Sequence, residues 1–225
     1  MDRFSTLTFS KTPIMKKIII LGIHNSGSTL LAAMMHLLRI NFGLVPTRGK
    51  YGFSYESPQV PMVMQHCIRF GMPIDWTQID FCREPLTSLI REFFQTWEPL
   101  DSAVKHPFLC AGLTVVEDEL LRELIFIDCN RSLANSIEGA IQAYPKRAEA
   151  MAEYQTTLHE GKERILARAR KLGCTIYDWN YDQLTTATCG AMVRQLQQFL
   201  DVQVKPEYVE KAISLYNEQQ HHFGL

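Results

Sequence analysis

Short apolar runs alternate with longer amphipathic stretches along this chain. In "KKIIILG" four consecutive apolar residues stand between lysines and a glycine, which predicts a strand over 17–22 buried on both faces. "LIFIDCN" at 124–130 and "CTIYDWN" at 174–180 predict two more, and "SAVKHP" at 102–107 a fourth. Apolar positions three and four apart predict helices over 28–38, 59–70, 85–97, 116–123 and 133–143. A long amphipathic helix is predicted over 146–172, with Met151, Tyr154, Leu158, Ile165, Ala169 and Leu172 near one stripe. Two closing helices follow, over 187–200 and 206–217.

Strands alternating with helices predict an α/β fold, a parallel sheet flanked by helices on both faces. The roughly 60 residues from 40 to 100 exceed a usual crossover, so they are expected to form a helical insertion over the carboxyl edge of the sheet. Ligands of open α/β sheets bind at that edge. No repeat or interdomain linker interrupts the pattern, so residues 1–225 read as one domain, with 1–14 an extension outside the fold.

Composition narrows the function classes. Apolar residues make up 46% and charged residues 21%, and the net charge of −1 argues against a nucleic-acid partner. No apolar run approaches the ~20 residues that span a bilayer, and the first residues lack the apolar core of a signal peptide. Six cysteines without a C-x-x-C pair read as buried free thiols in a reducing compartment, with no zinc site. A cytoplasmic protein is expected.

The chemistry begins at "GIHNSGSTLL", where Gly22 and Gly27 bracket a turn and Ser28-Thr29 opens a helix. Glycines let the backbone approach a ligand, and the free N–H groups of a helix start attract an anion. The spacing is that of a Walker A loop, but Ser28 stands where that loop has its lysine. Without the ammonium a β/γ-phosphate and its magnesium lose their main clamp, so ATP hydrolysis is a poor reading. A plain glycine turn ending a core strand is the bland alternative. A second constellation follows the strand predicted over 124–130 in "IFIDCNRSLANSIEGA", where Arg131 and then Ser136 are placed to grip a phosphate. The bland alternative there is an arginine paired with an acid such as Asp128.

Together these segments resemble the sulfotransferases that use 3′-phosphoadenosine-5′-phosphosulfate (PAPS). "YGFSYESPQV" at 51–60 is similar to the Gly-aromatic-x-aromatic-Glu segment of bacterial members, "SAVKHPFLC" to their Lys-x-Pro strand end, and "IYDWNYDQLTTATCGAMVRQLQQFLDV" to their Tyr-x-x-Leu turn and helix. The resemblance spans about 16–215, with five motifs in the family's order. It implies a P-loop NTPase-like three-layer α/β/α fold and PAPS as sulfuryl donor, with no metal. Asn25, Ser26, Gly27, Ser28 and Thr29 would then cradle the 5′-phosphosulfate, Arg131 and Ser136 the 3′-phosphate, and Tyr181 would lie near the nucleotide. Two positions depart from the pattern: Asn25 stands where the family is basic, and Gly139 where many members carry a serine.

Sulfuryl transfer needs an anchored donor, a base and a cation on the leaving oxygen. Lys105 is the candidate cation. Glu56, with a raised pKa expected from partial burial, and His106 compete for the base, with His24 a third choice. Adjacent strand residues point to opposite faces, so Lys105 and His106 are not both expected in the site if the strand runs through them. Trp76, Trp97, Phe93 and Phe94 are candidates to line an acceptor pocket or to be plain core. His221-His222 reads as a solvated tail. The acceptor, a small molecule, glycan or lipid bearing a hydroxyl or amine, and the oligomeric state stay open. The rival readings are a PAP(S)-binding protein without catalysis and a P-loop kinase.

Overall fold

The computed structural model describes residues 15–43, 48–49, 52–53 and 55–223, with backbone alone at 48–49, 52–53 and 217–223. Four strands, β1 (Lys17–Leu21), β4 (Ser102–Lys105), β5 (Ile125–Asn130) and β6 (Thr175–Asn180), form a parallel sheet in the order β4-β1-β5-β6. A small antiparallel pair, β2 (Arg48–Gly49) and β3 (Gly52–Phe53), lies apart from it.

Because side chains alternate along a strand, β1 feeds two cores. Ile19 and Leu21 face one, built with α2 (Gln59–Met64), α3 (Arg83–Thr96), α4 (Leu109–Gly112), α5 (Asp118–Arg122), α6 (Leu133–Ala143) and α7 (Ala148–Lys171). Ile18 and Ile20 face the other, against α1 (Ser28–Leu37), α8 (Cys189–Phe199) and α9 (Pro206–Phe223). All four side chains are fully buried, each worth about 1.5–3 kcal/mol relative to exposure. The sheet is therefore covered on both faces, the arrangement the apolar strand runs predict.

Several boundaries differ from the sequence expectation. The fourth predicted strand stops at Lys105 rather than 107, because Pro107 has no N–H and the next residues wind into α4, a short helix that periodicity did not reveal. The helix expected over 59–70 ends at Met64 and gives way to turns. The described residues of 40–100 include the helices Gln59–Met64 and Arg83–Thr96, and they also carry the β2–β3 pair, turns and a 3₁₀ turn at Ile79–Cys82. Cys67 and Cys82 are joined in a disulfide within it, which corrects the expectation that all six cysteines are free. Cys110, Cys129, Cys174 and Cys189 remain thiols. The extension 1–14 lies outside the described residues, as do Tyr51 and Ser54 of the predicted 51–60 segment and the side chains of His221 and His222.

The topology fixes where a ligand would go. From β1 the chain passes to β4 on one side and then returns to β5 on the other, so the carboxyl end of β1 is a switch point. In register, Ile20 lies beside Lys105 and Leu21 beside Asp128. Residues 22–27 thus leave the sheet between the ends of β4 and β5. Among the described residues no helix is long and apolar enough to cross a membrane.

Candidate active site

The turn after β1 is built on two left-handed residues, Asn25 at φ 59 and Gly27 at φ 83. Asparagine tolerates that region, whereas Gly27 has a second reason to lack a side chain. A Cβ there would run into the Tyr181 ring, which lies against it. α1 starts at once after Gly27 with no side-chain cap and no acidic residue in its first turn. Its first N–H groups have no intrahelical partner, and the helix dipole adds positive potential there. Ser26 is buried and its hydroxyl has no hydrogen-bond partner among the described residues. An orphaned buried hydroxyl beside an uncapped helix start fits an anion as the missing acceptor.

From the β4 side, Lys105 reaches the loop helix. Its side chain is 2% exposed, and Nζ donates to Thr29 Oγ1 at 3.2 Å and to Glu56 Oε1 at 3.0 Å. Glu56 arrives from the 40–100 segment, where Tyr55 takes a left-handed φ of 55 and packs its ring on Phe42 and His36. Such a backbone is strained for an aromatic residue and is held by its surroundings. Because β4 ends at Lys105, the alternation argument no longer applies to His106. Its Nε2 lies 4.0 Å from Glu56 Oε2, so Lys105 and His106 converge on the same carboxylate.

Charge states follow from this packing. Burial pulls the Glu56 carboxyl upward, but Lys105, His106 and His24 together outweigh it and hold it below the ordinary range. This corrects the expected raised pKa: a lysine in hydrogen-bond contact wins over partial burial. Burial pushes His106 down to about 4 against the opposing effect of Glu56, and His24 down to about 4 in the same way. Both imidazoles are therefore neutral at pH 7. His106 Nδ1 accepts the Phe108 backbone N–H at 3.1 Å, so the neutral ring carries its proton on Nε2 and presents a donor to Glu56. His24 Nε2 is engaged with the Tyr154 hydroxyl at 2.9 Å, and the ring packs edge-on against Phe70.

On the β5 side, Arg131 donates from Nη1 to the Asn25 carbonyl at 2.7 Å, and its guanidinium lies over the Tyr181 ring. Its carboxylate neighbour is Asp182, at 3.8 Å. Asp128, the sequence-based alternative, instead pairs with Lys162 at 2.8 Å. Ser136 is fully buried with an orphaned hydroxyl. Gln155 of α7 was not singled out in the sequence. Its buried amide donates to the His24 carbonyl at 2.7 Å and the Ser136 carbonyl at 3.2 Å, tying the loop to α6. Only its place on the polar margin of the α7 stripe hints at it.

The aromatic candidates divide. Phe93 and Trp97 line a cavity of about 50 Å³ beside Glu56, large enough for ordered water. Phe94 is core, and Trp76 lies beneath Arg164 at 4.3 Å. A wider open groove of about 670 Å³ runs past Met62, Phe70 and Phe108. The Phe108 ring packs on His106, so the groove begins next to the Glu56 cluster.

No model of a known protein family matches the chain, and no curated protein matches it.

Proposed function

We propose that the chain is a sulfotransferase on a P-loop-like fold, moving a sulfuryl group from PAPS to a hydroxyl or amine of a small-molecule, glycan or lipid acceptor. The observation that carries this reading is Lys105, whose ammonium bridges Thr29 of the anion-binding helix start and the Glu56 carboxylate. A single cation thus stands between the cradle and a proton acceptor, while position 28 is free of the lysine that a triphosphate needs.

PAPS supplies an activated sulfuryl group on a 5′-phosphate when bound. The residues 25–29 and the start of α1 would hold its 5′ end, an assignment supported by the orphaned Ser26 hydroxyl. Arg131 would serve the 3′-phosphate, and Tyr181 would lie beside the nucleotide. Lys105 would neutralise charge growing on the leaving oxygen of the bound donor. Glu56, ionised at neutral pH, takes the acceptor's proton, and His106 turns its Nε2–H toward the same carboxylate from 4.0 Å, too far for a hydrogen bond but close enough to add to the field around it. Of the two bases the sequence left open, the tautomer of His106 favours Glu56.

A second reading, PAP(S) binding without turnover, has one observation in its favour. The loop carries no cation of its own, since Asn25 replaces one and His24 is neutral. Calorimetry with 3′,5′-adenosine bisphosphate and with ATP-Mg, followed by transfer of ³⁵S from labelled PAPS to an acceptor panel, tests both. The sulfotransferase reading expects bisphosphate binding tighter than ATP-Mg and Lys105-dependent transfer. Tight bisphosphate binding with no transfer to any acceptor sinks the enzyme and leaves the binder. Preference for ATP-Mg sinks both in favour of a kinase.

A further inference from the structure

The start of α6 opens on the same sheet edge as the loop, next to Arg131, and a side chain of the protein already fills it. Asp182 Oδ2 accepts the Ser132 backbone N–H at 2.7 Å, and Oδ1 accepts from Asn135 Nδ2 at 3.1 Å. Oδ1 also stands 3.8 Å from Arg131 Nε. The turn that carries this carboxylate, Tyr181–Gln183, is itself fixed, because the Asn180 side chain accepts the Asp182 N–H at 3.0 Å. A helix-start amide, a side-chain amide and a guanidinium are the donors that a phosphate would use. Here a carboxylate has two of them and lies near the third.

The occupation is incomplete. Among the described residues the buried Arg131 Nε–H has no hydrogen-bond acceptor, because 3.8 Å to Asp182 is too long for one. The buried Ser136 hydroxyl also has no partner among the described residues. Two donors in this region thus lack an acceptor, which a carboxylate on the neighbouring turn does not supply.

We propose that Asp182 is a built-in competitor for the second phosphate of the nucleotide, and so the residue that sets how strongly this chain prefers a bisphosphate over a monophosphate. The inference rests on the proposed function, since it takes Arg131 as the 3′-phosphate ligand. A phosphate reaching Arg131 meets a like charge at close range, and binding requires the Asp182 side chain to leave the Ser132 amide. Asp182→Asn removes the charge, relieves the repulsion and keeps one amide oxygen as an acceptor for the Ser132 N–H, while the cap of α6, Ser132 Oγ on the Asn135 N–H, is untouched.

The test is calorimetry of 3′,5′-adenosine bisphosphate and of 5′-AMP on the wild-type chain, Asp182→Asn and Asp182→Ala. Asp182→Asn is expected to bind the bisphosphate about tenfold more tightly, with 5′-AMP changed less than twofold. In wild type, the Ser132 amide resonance is expected to shift when the bisphosphate is added, a readout that does not depend on either variant folding. Unchanged or weaker bisphosphate binding in Asp182→Asn overturns the inference, as does equal tightening for both nucleotides or a Ser132 amide that stays put. Those results leave the proposed function standing if the wild type binds the bisphosphate. A wild type that ignores the bisphosphate and binds ATP-Mg removes the proposed function and this inference together.

Discussion

Asn25 packs directly on Gly139: a Cβ added to Gly139 would come within 3.3 Å of Asn25 Cβ. The two positions at which the sequence departs from the sulfotransferase pattern are therefore one contact, and a serine at 139 and the present Asn25 crowd each other. Gly139→Ser alone gains up to ~0.5 kcal/mol of helix propensity. Overpacking of about 1 kcal/mol offsets that gain. The single variant is expected to be near neutral or slightly less stable. In an Asn25→Gly background, which also removes a left-handed non-glycine residue, the same change is expected to stabilise by about 0.5 kcal/mol. Urea denaturation of the four proteins measures the coupling, and strictly additive effects would show that the contact has no energetic content.

Lys105 is expected to matter for turnover more than for binding. Lys105→Met keeps most of the buried volume but removes the cation between Thr29 and Glu56. Transfer from PAPS is expected to fall by about 100-fold or more, the usual cost of losing a group that meets developing charge. Affinity for 3′,5′-adenosine bisphosphate should change by less than about tenfold. Single-turnover rates alongside calorimetry separate the two, and a variant with normal turnover would remove Lys105 from the mechanism.

Glu56 and His106 are distinguished by the shape of the pH profile. Glu56→Gln is expected to lose nearly all transfer at every pH. His106→Asn keeps a short-range acceptor for the Phe108 N–H but loses the donor facing Glu56. It should retain roughly a tenth of kcat. Because His106 helps to hold the Glu56 carboxyl down, the acid limb of the profile should move to higher pH in this variant. An acid limb that disappears in His106→Asn would instead make the imidazole the base.

The middle of the sheet was readable in the sequence because β1 and β5 are largely apolar runs buried on both faces, as "IIIL" in β1 is, whereas the edge strand β6 buries only Trp179 fully. The loop was readable because glycines and a helix start leave a local pattern. What escaped reading depends on where strands stop and on partners distant in sequence. One strand end, at Lys105, decides that His106 joins the site, and only the turn into α4 shows it. Gln155 reaches the loop across 131 residues, from a helix whose stripe appears merely amphipathic. The Cys67–Cys82 pairing joins residues 15 apart with no spacing rule to betray it.

Stability should decline on acidification in a window set by the two histidines. Each has a folded pKa of about 4 against 6.5 when unfolded, so the unfolded chain binds more protons between those values. Stability from keeping these rings neutral is complete above pH 6.5 and is lost as the pH falls toward 4. The lowered Glu56 carboxyl adds a loss of the same sign below its unfolded value of 4.5. The melting temperature is expected to drop by about 5 °C or more between pH 7 and pH 5. In His106→Gln the drop should be shallower, and an equal drop would assign it to other groups.

The buried pair Lys162–Asp128 fixes α7 against β5, which also carries Gln155 to the loop. Nζ lies 2.8 Å from Oδ1, and the two side chains are 2% and 7% exposed. Burial raises the Asp128 carboxyl even though Lys162 pulls it down, so the pair sits where desolvation is costly. Removing one partner strands the other charge, and Lys162→Met is expected to cost about 3–5 kcal/mol. Replacing both residues with apolar groups of similar volume should restore much of that loss, because the net value of such a pair over an apolar contact is small. Denaturation of Lys162→Met, Asp128→Leu and the double variant measures this. A double variant as unstable as the sum of the singles would mean that the pair is positioned by something other than mutual charge compensation.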